Sequence, residues 1–130
     1  MICRMSGGLI MFELTVKGEF SSAHFLRDYK GKCRNLHGHT WKVAVTVKGS
    51  KLNKIGVMAD FVELKAHLQA LMERLDHKCL NDLKFFKAHN PTTENIAQYL
   101  YAEYARLVRP LKVSRVQVWE SDRADVVYYE

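Results

Sequence analysis

Two stretches of alternating polarity predict β-strands. Apolar and polar side chains alternate in residues 12–17 and again in residues 40–47. Successive side chains of a strand point to opposite faces of its sheet, so each stretch is typical of a half-buried strand. If the first strand continues through Gly18 without a slip, His24 stays on its apolar face. The parity of the second strand, carried backwards, places His37 and His39 on its apolar face as well.

The middle of the chain carries two patterns that are typical of amphipathic helices. The first helix is predicted to begin at Asp60, which has N-cap spacing with Glu63 three positions later. The second is predicted to begin after Pro91, with Thr92 or Thr93 as its N-cap. The apolar positions that recur with helical period are Phe61, Leu64, Leu68, Leu71 and Leu75 in the first helix and Ile96, Leu100, Tyr104 and Leu107 in the second.

Two more strands are predicted near the C-terminus, at residues 113–120 and 125–129, joined by a short polar turn. The order is therefore strand, strand, helix, helix, strand, strand. This order is typical of an α+β fold in which two helices cover one face of an antiparallel sheet. We expect residues 11–130 to form this single domain and residues 1–10, which show no periodicity, to be an N-terminal extension.

Composition and charge exclude several classes of protein. The chain has 130 residues, of which 48% are hydrophobic and 26% charged, and this is not the composition of a disordered protein. Its longest apolar run, residues 9–12, is too short to span a membrane, so we expect a cytoplasmic protein with no membrane partner. The net charge of +6 suits an anionic ligand, but the basic residues are scattered and are better explained as a solvated surface. An odd number of cysteines without a regular framework favours reduced thiols at Cys3, Cys33 and Cys79.

Three histidines form the strongest candidate site. Residues two apart in a strand point to the same side, so His37 and His39 can bind one ion together. His24 completes the trio if strand pairing brings it opposite these two. Three neutral imidazoles leave a fourth position open, which is the composition of a catalytic zinc site. The alternative, which we would favour for His37 or His39 alone, is a surface histidine or one whose ring nitrogens are already satisfied.

Three further features each keep an alternative open. Cys33, four positions before His37, can be a fourth ligand of a structural zinc, a nucleophile or base, or an incidental small hydrophobe. Asp76 and His77 can work as a pair only if the chain unwinds there, because sequence neighbours on a helix do not face each other. Otherwise His77 is simply a favourable residue at a helix C-terminus. Glu120 is either an inward carboxylate that needs a partner or the last residue before the turn.

Five short segments, taken together, resemble one known family. They are Ser22-Ala23-His24, Cys33-x3-His37-Gly38-His39, Leu75-Asp76-His77, Asn90-Pro91-Thr92-Thr93-Glu94 and Val118-Trp119-Glu120. In this order they resemble the 6-pyruvoyl-tetrahydropterin synthase family over nearly the whole chain from residue 11. The three residues between Cys33 and His37 resemble the spacer of the 6-carboxy-5,6,7,8-tetrahydropterin synthases of the queuosine pathway, whereas animal 6-pyruvoyl enzymes typically have a longer spacer.

The resemblance implies a fold, an assembly and a role for each site residue. The fold is the tunnelling fold, in which the sheets of several subunits close a barrel, and the assembly is a homohexamer made of two trimers. The implied zinc ligands are His24, His37 and His39. The implied catalytic residues are Cys33, Asp76 and His77. The implied substrate-binding residues are Thr92, Thr93, Glu94 and Glu120.

The resemblance further implies the substrate 7,8-dihydroneopterin triphosphate and the products 6-carboxy-5,6,7,8-tetrahydropterin, acetaldehyde and triphosphate. One alternative keeps the fold and the metal but eliminates triphosphate without loss of the side chain, as 6-pyruvoyl-tetrahydropterin synthases do. A more distant alternative is a nucleic-acid-binding module stapled by zinc through Cys33, His37, His39 and one more ligand. Its ligands would crowd into seven residues with no second pair at finger spacing, so we expect no nucleic-acid partner.

Overall fold

The computed structural model describes residues 11–130, and the extension expected at residues 1–10 lies outside the described residues. Within this part of the chain there are four strands, β1 (Phe12–His24), β2 (His37–Gly49), β3 (Lys112–Ser121) and β4 (Ala124–Tyr128). The α-helices are α1 (Phe61–Leu75), α2 (Lys84–Ala88) and α3 (Thr93–Leu107). Two short 3₁₀ turns, Lys32–Arg34 and Leu80–Asp82, lie before β2 and before α2.

The four strands form one antiparallel sheet in the order β1-β2-β3-β4. β1 and β2 pair without interruption from Phe12 opposite Gly49 to His24 opposite His37. Because the register does not slip at Gly18, alternate side chains keep to one face along the whole of both strands. The predicted α+β fold and the predicted continuation of the first strand as far as His24 are therefore confirmed.

Helices α1 and α3 pack on one face of this sheet and enclose the core. Gly18 lets α1 approach β1 closely, since a Cβ atom there would lie 3.2 Å from Cγ of Met72. Trp41 is fully buried in the middle of the core and stacks on Phe20 with ring centroids 5.1 Å apart. Each fully buried side chain of this size stabilises the fold by about 1.5–3 kcal/mol. The core thus fixes the ends of β1 and β2 that carry the histidines.

The ends of the two long helices partly match the predicted pattern. Asp60 and Thr92 are the N-caps, and their side-chain oxygens accept hydrogen bonds from the backbone N–H groups of Val62 and Asn95. The predicted apolar stripe was wrong at the first position of α1. Phe61, at the first helical position, is 50% exposed, so the buried stripe of α1 begins one turn later. Leu107, the last predicted position of α3, is half-buried and packs against the core as predicted.

The prediction of two helices was wrong in number, because α2 was not foreseen. This helix has only five residues, so a 3.6-residue period cannot be recognised in its sequence. The observed order of strands and helices is ββαααββ. None of the described helices is long and apolar enough to cross a membrane.

Candidate metal centre and active site

The register of β1 and β2 brings three histidines together at one end of the sheet. His24, the last residue of β1, lies opposite His37, the first residue of β2, and Ser22 lies opposite His39. All three imidazoles project from the face that carries the core. One ring nitrogen of each histidine lies within 4.8 Å of the other two, and the Nε2 atoms of His24 and His37 are 3.1 Å apart. Among the described residues, this is the group that could hold a metal ion.

Two backbone carbonyls orient the first two rings. Nδ1 of His24 lies 2.8 Å from the carbonyl oxygen of Pro91, and Nδ1 of His37 lies 2.7 Å from that of Asn35. A carbonyl oxygen only accepts hydrogen bonds, so each Nδ1 carries a proton, and in a neutral ring Nε2 then presents a lone pair. Two lone pairs at this separation repel each other unless a cation lies between them. The arrangement therefore fits a bound metal ion.

His39 supplies the third nitrogen of the group. Its Nε2 atom is buried and has no hydrogen-bond partner among the described residues. A buried polar atom without a partner costs roughly 1–3 kcal/mol, and a metal ion at this position would remove that cost. The three imidazole donors thus fit a metal site. A tetrahedral ion held by them would have one coordination position left for another ligand.

Burial keeps two of these imidazoles, those of His24 and His39, in the form that binds metals. Desolvation lowers the pKa of His24 below its ordinary value of 6.5, and it outweighs the opposite effect of the hydrogen bond to Pro91. Desolvation also lowers the pKa of His39, although the nearby carboxylate of Glu120 acts to raise it. Both rings are therefore neutral at pH 7, and metal ions bind neutral imidazole.

Trp41 forms the inner wall of the histidine group. The ring centroids of His24 and His39 lie 4.9 Å and 5.0 Å from the Trp41 ring, and both contacts are edge-to-face. Because Trp41 is fully buried and stacked on Phe20, it limits how far either imidazole can rotate. In the sequence pattern Trp41 is only one apolar strand residue among several, so the pattern does not predict this contact with the site.

Glu120 lies beside the histidine group at the end of β3. Its Oε1 atom is 3.8 Å from Nε2 of His39, and its Oε2 atom accepts a hydrogen bond of 2.9 Å from the hydroxyl of Thr93. Of the two interpretations left open, the structure supports an inward carboxylate with a partner. Thr92 uses its side chain to cap α3, and Glu94 is exposed in the first turn of that helix. Of the four predicted substrate-binding residues, Thr93 and Glu120 are thus in direct contact.

Cys33 lies in the 3₁₀ turn that precedes β2 and is half-buried. The group of side chains close enough to share one metal ion comprises the three histidines and does not include Cys33. This geometry disfavours Cys33 as a fourth ligand and favours a site with an open position. Cys33 and Cys79 are free thiols, and Cys3 lies outside the described residues.

The chain unwinds at Asp76 and His77, as their pairing requires. Helix α1 ends at Leu75, Asp76 is extended, and His77 has a positive φ of 55°. Nδ1 of His77 then lies 2.6 Å from Oδ2 of Asp76, so the predicted pair forms. The other oxygen, Oδ1, accepts from the backbone N–H of Ser21, and this bond, followed by the bond to His77, lowers the pKa of Asp76. None of the described hydrogen bonds joins this pair to Cys33 or to the three histidines.

Fold and site together define a class of protein, in which an antiparallel sheet carries three histidines that could hold a metal ion beside an inward carboxylate. The family model of 6-pyruvoyl tetrahydropterin synthase matches residues 13–130. The chain belongs to the 6-pyruvoyl tetrahydropterin synthase family. The predicted resemblance and the predicted tunnelling fold are confirmed.

Relatives with two different names are similar to this chain. The 6-pyruvoyl tetrahydrobiopterin synthase of Homo sapiens is 36% identical over 123 residues, covering 84% of this chain and 85% of the relative. The 6-carboxy-5,6,7,8-tetrahydropterin synthase of Synechocystis is 40% identical over 89 residues, covering 65% of this chain and 67% of the relative. The solved structure of Caenorhabditis elegans 6-pyruvoyl tetrahydropterin synthase matches with a TM-score of 0.84 at 25% identity, covering 94% of this chain and 97% of that one.

Proposed function

We propose that this chain is a zinc-dependent 6-carboxy-5,6,7,8-tetrahydropterin synthase of queuosine biosynthesis, a carbon–carbon lyase. It converts 7,8-dihydroneopterin triphosphate to 6-carboxy-5,6,7,8-tetrahydropterin, acetaldehyde and triphosphate. The observation that carries the proposal is the open three-histidine group with the Glu120 carboxylate 3.8 Å from His39. A relative with the same name that is 40% identical supports the choice of product.

The proposed zinc ligands are His24, His37 and His39, which present three ring nitrogens and leave a fourth position free. Zinc, when bound, supplies Lewis-acid polarisation of oxygen atoms on the substrate's side chain. The choice of zinc follows from the all-imidazole donor set. Carboxylate and carbonyl oxygens, which magnesium and calcium prefer, are absent from this group of described residues.

Proton transfer is assigned to Cys33, in the turn before β2, and to His77, just after the end of α1. The thiolate of Cys33 acts as the base that abstracts a proton from the substrate's side chain. His77 returns or relays a proton, and Asp76 holds the His77 ring through the 2.6 Å contact at Nδ1. The family resemblance rather than a contact within one chain supports these two roles.

Recognition of the pterin is assigned to the carboxylate at the end of β3. Glu120 accepts hydrogen bonds from the amino and ring N–H groups of the pterin, because a carboxylate suits such paired donors. The hydroxyl of Thr93 fixes one of its oxygens at 2.9 Å, which orients the carboxylate before substrate arrives. Thr92 and Glu94 complete the segment that holds the pterin. The net charge of +6 favours the triphosphate.

The second candidate is a 6-pyruvoyl-tetrahydropterin synthase with the same ligands and residues. The human relative, 36% identical, carries that name and favours this candidate. A zinc-stapled nucleic-acid module is disfavoured, because it needs Cys33 as a ligand and the three-histidine group does not include it.

We also propose a cytoplasmic homohexamer in which sheets of neighbouring subunits pair edge to edge. Two observations support the pairing. Within the described residues β4 has no strand on its outer side, and the outer side of β1 has none along most of its length. Unpaired strand edges are templates for pairing with another chain. Sedimentation or light scattering of the zinc-loaded protein tests the assembly, and a monomer would contradict it.

A product assay by mass spectrometry tests the reaction. Zinc-loaded protein is incubated with 7,8-dihydroneopterin triphosphate, and both the pterin and the released acetaldehyde are identified. We expect a carboxy-tetrahydropterin with acetaldehyde. A pyruvoyl-tetrahydropterin without acetaldehyde would instead establish the second candidate. No turnover by a protein that binds zinc would contradict both.

A further inference from the structure

Two asparagine side chains hold the segment that follows His24. The amide of Asn81 accepts from the backbone N–H of Phe25 at 3.0 Å and donates to its carbonyl oxygen at 2.9 Å. The amide of Asn90 does the same to Arg27, at 3.0 Å and 3.1 Å. A primary amide has one acceptor and one donor side by side, so it can bind both backbone groups of one residue as a neighbouring strand would.

The two asparagines continue a row of contacts that begins within β1. The outer backbone groups of Ser21 bond to the residues after α1, and the N–H of Ala23 donates to the carbonyl of Lys78 at 2.9 Å. Residues 21, 23, 25 and 27 therefore turn their outer backbone groups to the same side, with the period of two that a strand requires. Beyond Ala23, a single side-chain amide binds both the N–H and the carbonyl group of each of these residues.

The residue between the two that the asparagines bind is hydrogen-bonded to Cys33. The backbone N–H of Leu26 donates to the carbonyl oxygen of Cys33 at 2.7 Å. On the other side of Cys33, the carbonyl of Asn35 accepts the Nδ1 proton of His37 at 2.7 Å. Cys33 is thus linked to the histidine group on both sides. Leu26, which binds it, follows His24 by two residues, and Asn35, which binds His37, follows Cys33 by two residues. The link towards His24 depends on the orientation of Leu26.

Asn90 is also tied to the metal centre through its own backbone. Its carbonyl oxygen accepts from the N–H of Thr92 at 2.7 Å and from the side chain of Asn95 at 2.9 Å. The next residue, Pro91, is buried, and its carbonyl oxygen accepts the hydrogen bond from Nδ1 of His24. The same short turn therefore holds both the ring of His24 and the backbone of Arg27.

We propose that Asn81 and Asn90 are positioning residues that hold Cys33 at a fixed place relative to the three histidines. The role of Cys33 as a base rests on the proposed function, whereas the restraint on its position does not. Misplacement of a reacting group by about 1 Å can lower a rate roughly 10²-fold, so small movements of this loop matter. None of the described hydrogen bonds joins either side-chain amide to a proposed metal ligand. Each amide acts through the backbone of residues 25–36, the segment between β1 and β2 that contains Cys33 and is called the Cys33 loop below.

Asn81 offers the sharper test because it is buried and both of its amide atoms bind Phe25. Asn81→Asp keeps the shape and the acceptor but places an oxygen against the Phe25 carbonyl where the donor had been. Asn90→Ala is the second variant, in case substitution of the buried Asn81 prevents folding. Tyr104→Phe is the matched control, since it removes a buried hydrogen bond of 2.9 Å to the carbonyl of Leu64 away from the site.

Three readouts on the zinc-loaded full chain separate positioning from general stability. Hydrogen exchange at the Leu26 amide reports the bond to Cys33, and the alkylation rate of the Cys33 peptide reports the exposure of its thiol. Steady-state kinetics gives kcat and KM. For Asn81→Asp and Asn90→Ala we expect at least tenfold faster exchange, faster alkylation, full zinc content and a kcat lowered roughly 10²-fold with little change in KM. Tyr104→Phe should lower Tm without these changes.

Two results would overturn the proposal. One is unchanged exchange at Leu26 in both asparagine variants, which would mean that the amides do not hold the loop. The other is faster exchange with wild-type kcat, which would mean that the position of Cys33 does not govern turnover. If the wild-type protein itself has no turnover, the proposed function fails. In that case exchange and alkylation decide alone, with faster rates supporting the restraint and unchanged rates overturning it.

Discussion

The histidine group and the Cys33 loop lie close together in the chain but are held by different means. His24 and His37 are paired residues of adjacent strands, so the sheet itself sets their separation. Cys33 lies in an irregular segment between those strands, where its carbonyl oxygen accepts a single hydrogen bond from Leu26. The residues on either side of Leu26 are bound in turn by the two asparagine amides. The histidine group therefore shares the rigidity of the core, whereas the loop depends on a few replaceable polar contacts.

This difference teaches where each part of the site is vulnerable. A ligand on a strand is displaced only if the register changes, and a register shift would turn every core residue of that strand outwards. A residue on a loop can move by an ångström without cost to the core. We therefore expect substitutions in the loop to alter the rate with the metal still bound, and substitutions of the ligands to abolish both.

The largest effect is expected when one of the histidines that the sheet positions is substituted. His39→Ala removes a buried ligand nitrogen and should lose stoichiometric zinc, with kcat lowered on the order of 10³-fold or more. Metal analysis and the product assay measure the two effects, and circular dichroism should show an unchanged fold. His89→Ala, an exposed histidine outside the group, is the control. Full zinc content in His39→Ala would contradict the assignment of this ligand.

The next largest effect is expected when Cys33 in the loop is substituted and the histidine group is left intact. Cys33→Ala should keep zinc and the assembly, while kcat falls by roughly 10²–10⁴-fold, the usual contribution of a general base. Cys79→Ala removes another half-buried thiol and should keep wild-type activity. A zinc-free Cys33→Ala protein would show that Cys33 is a ligand, and the site would then be a closed one.

The same contrast explains what could be predicted from the sequence. The parity of two strands was enough to place His24, His37 and His39 on one face, because a period of two survives in a single sequence. The amides of Asn81 and Asn90 were not assigned a role, since a side chain that binds backbone leaves no periodic pattern. The backbone carbonyls that orient the rings leave none either. The position of Cys33 before His37 made it a candidate, and the family resemblance implied its catalytic role, but the contacts that hold it are visible only in the structure.

Errors in the predicted fold have an equally local cause. Phe61 fits a helical period but lies at the first helical position, where a side chain can face solvent without breaking the pattern. Helix α2 is too short to show any period. The strands and the two long helices were recognised because each repeats its pattern over several turns or pleats. Sequence patterns therefore predict the elements better than their ends.

A smaller effect is expected from substitution of Glu120, which also lies on the sheet. It should separate substrate recognition from metal binding. Glu120→Gln keeps the shape but replaces an acceptor oxygen by a donor that faces the N–H groups of the pterin. KM should rise roughly tenfold or more, the worth of one hydrogen bond to a charged group, with zinc content unchanged. Glu103→Gln in α3, which loses only surface ion pairs to Arg74 and Arg106, is the control. Wild-type KM and kcat in Glu120→Gln would show that this carboxylate does not anchor the substrate.

The smallest effect concerns Asp76, which joins the end of α1 to the edge of β1. Its pKa is lowered from 3.8, first by the backbone N–H of Ser21 and then by His77, so the folded state favours the ionised carboxylate. The resulting stability is fully present above pH 3.8 and is lost as the pH falls through the lowered pKa. Asp76→Asn should therefore have a slightly lower Tm than wild type at pH 7, and the difference should shrink below about pH 4. Thermal unfolding of both proteins from pH 7 to pH 3 measures it. A difference that stays constant with pH would mean that the charge of the carboxylate does not strengthen this contact, and that the side chain acts only as a neutral hydrogen-bond acceptor for Ser21.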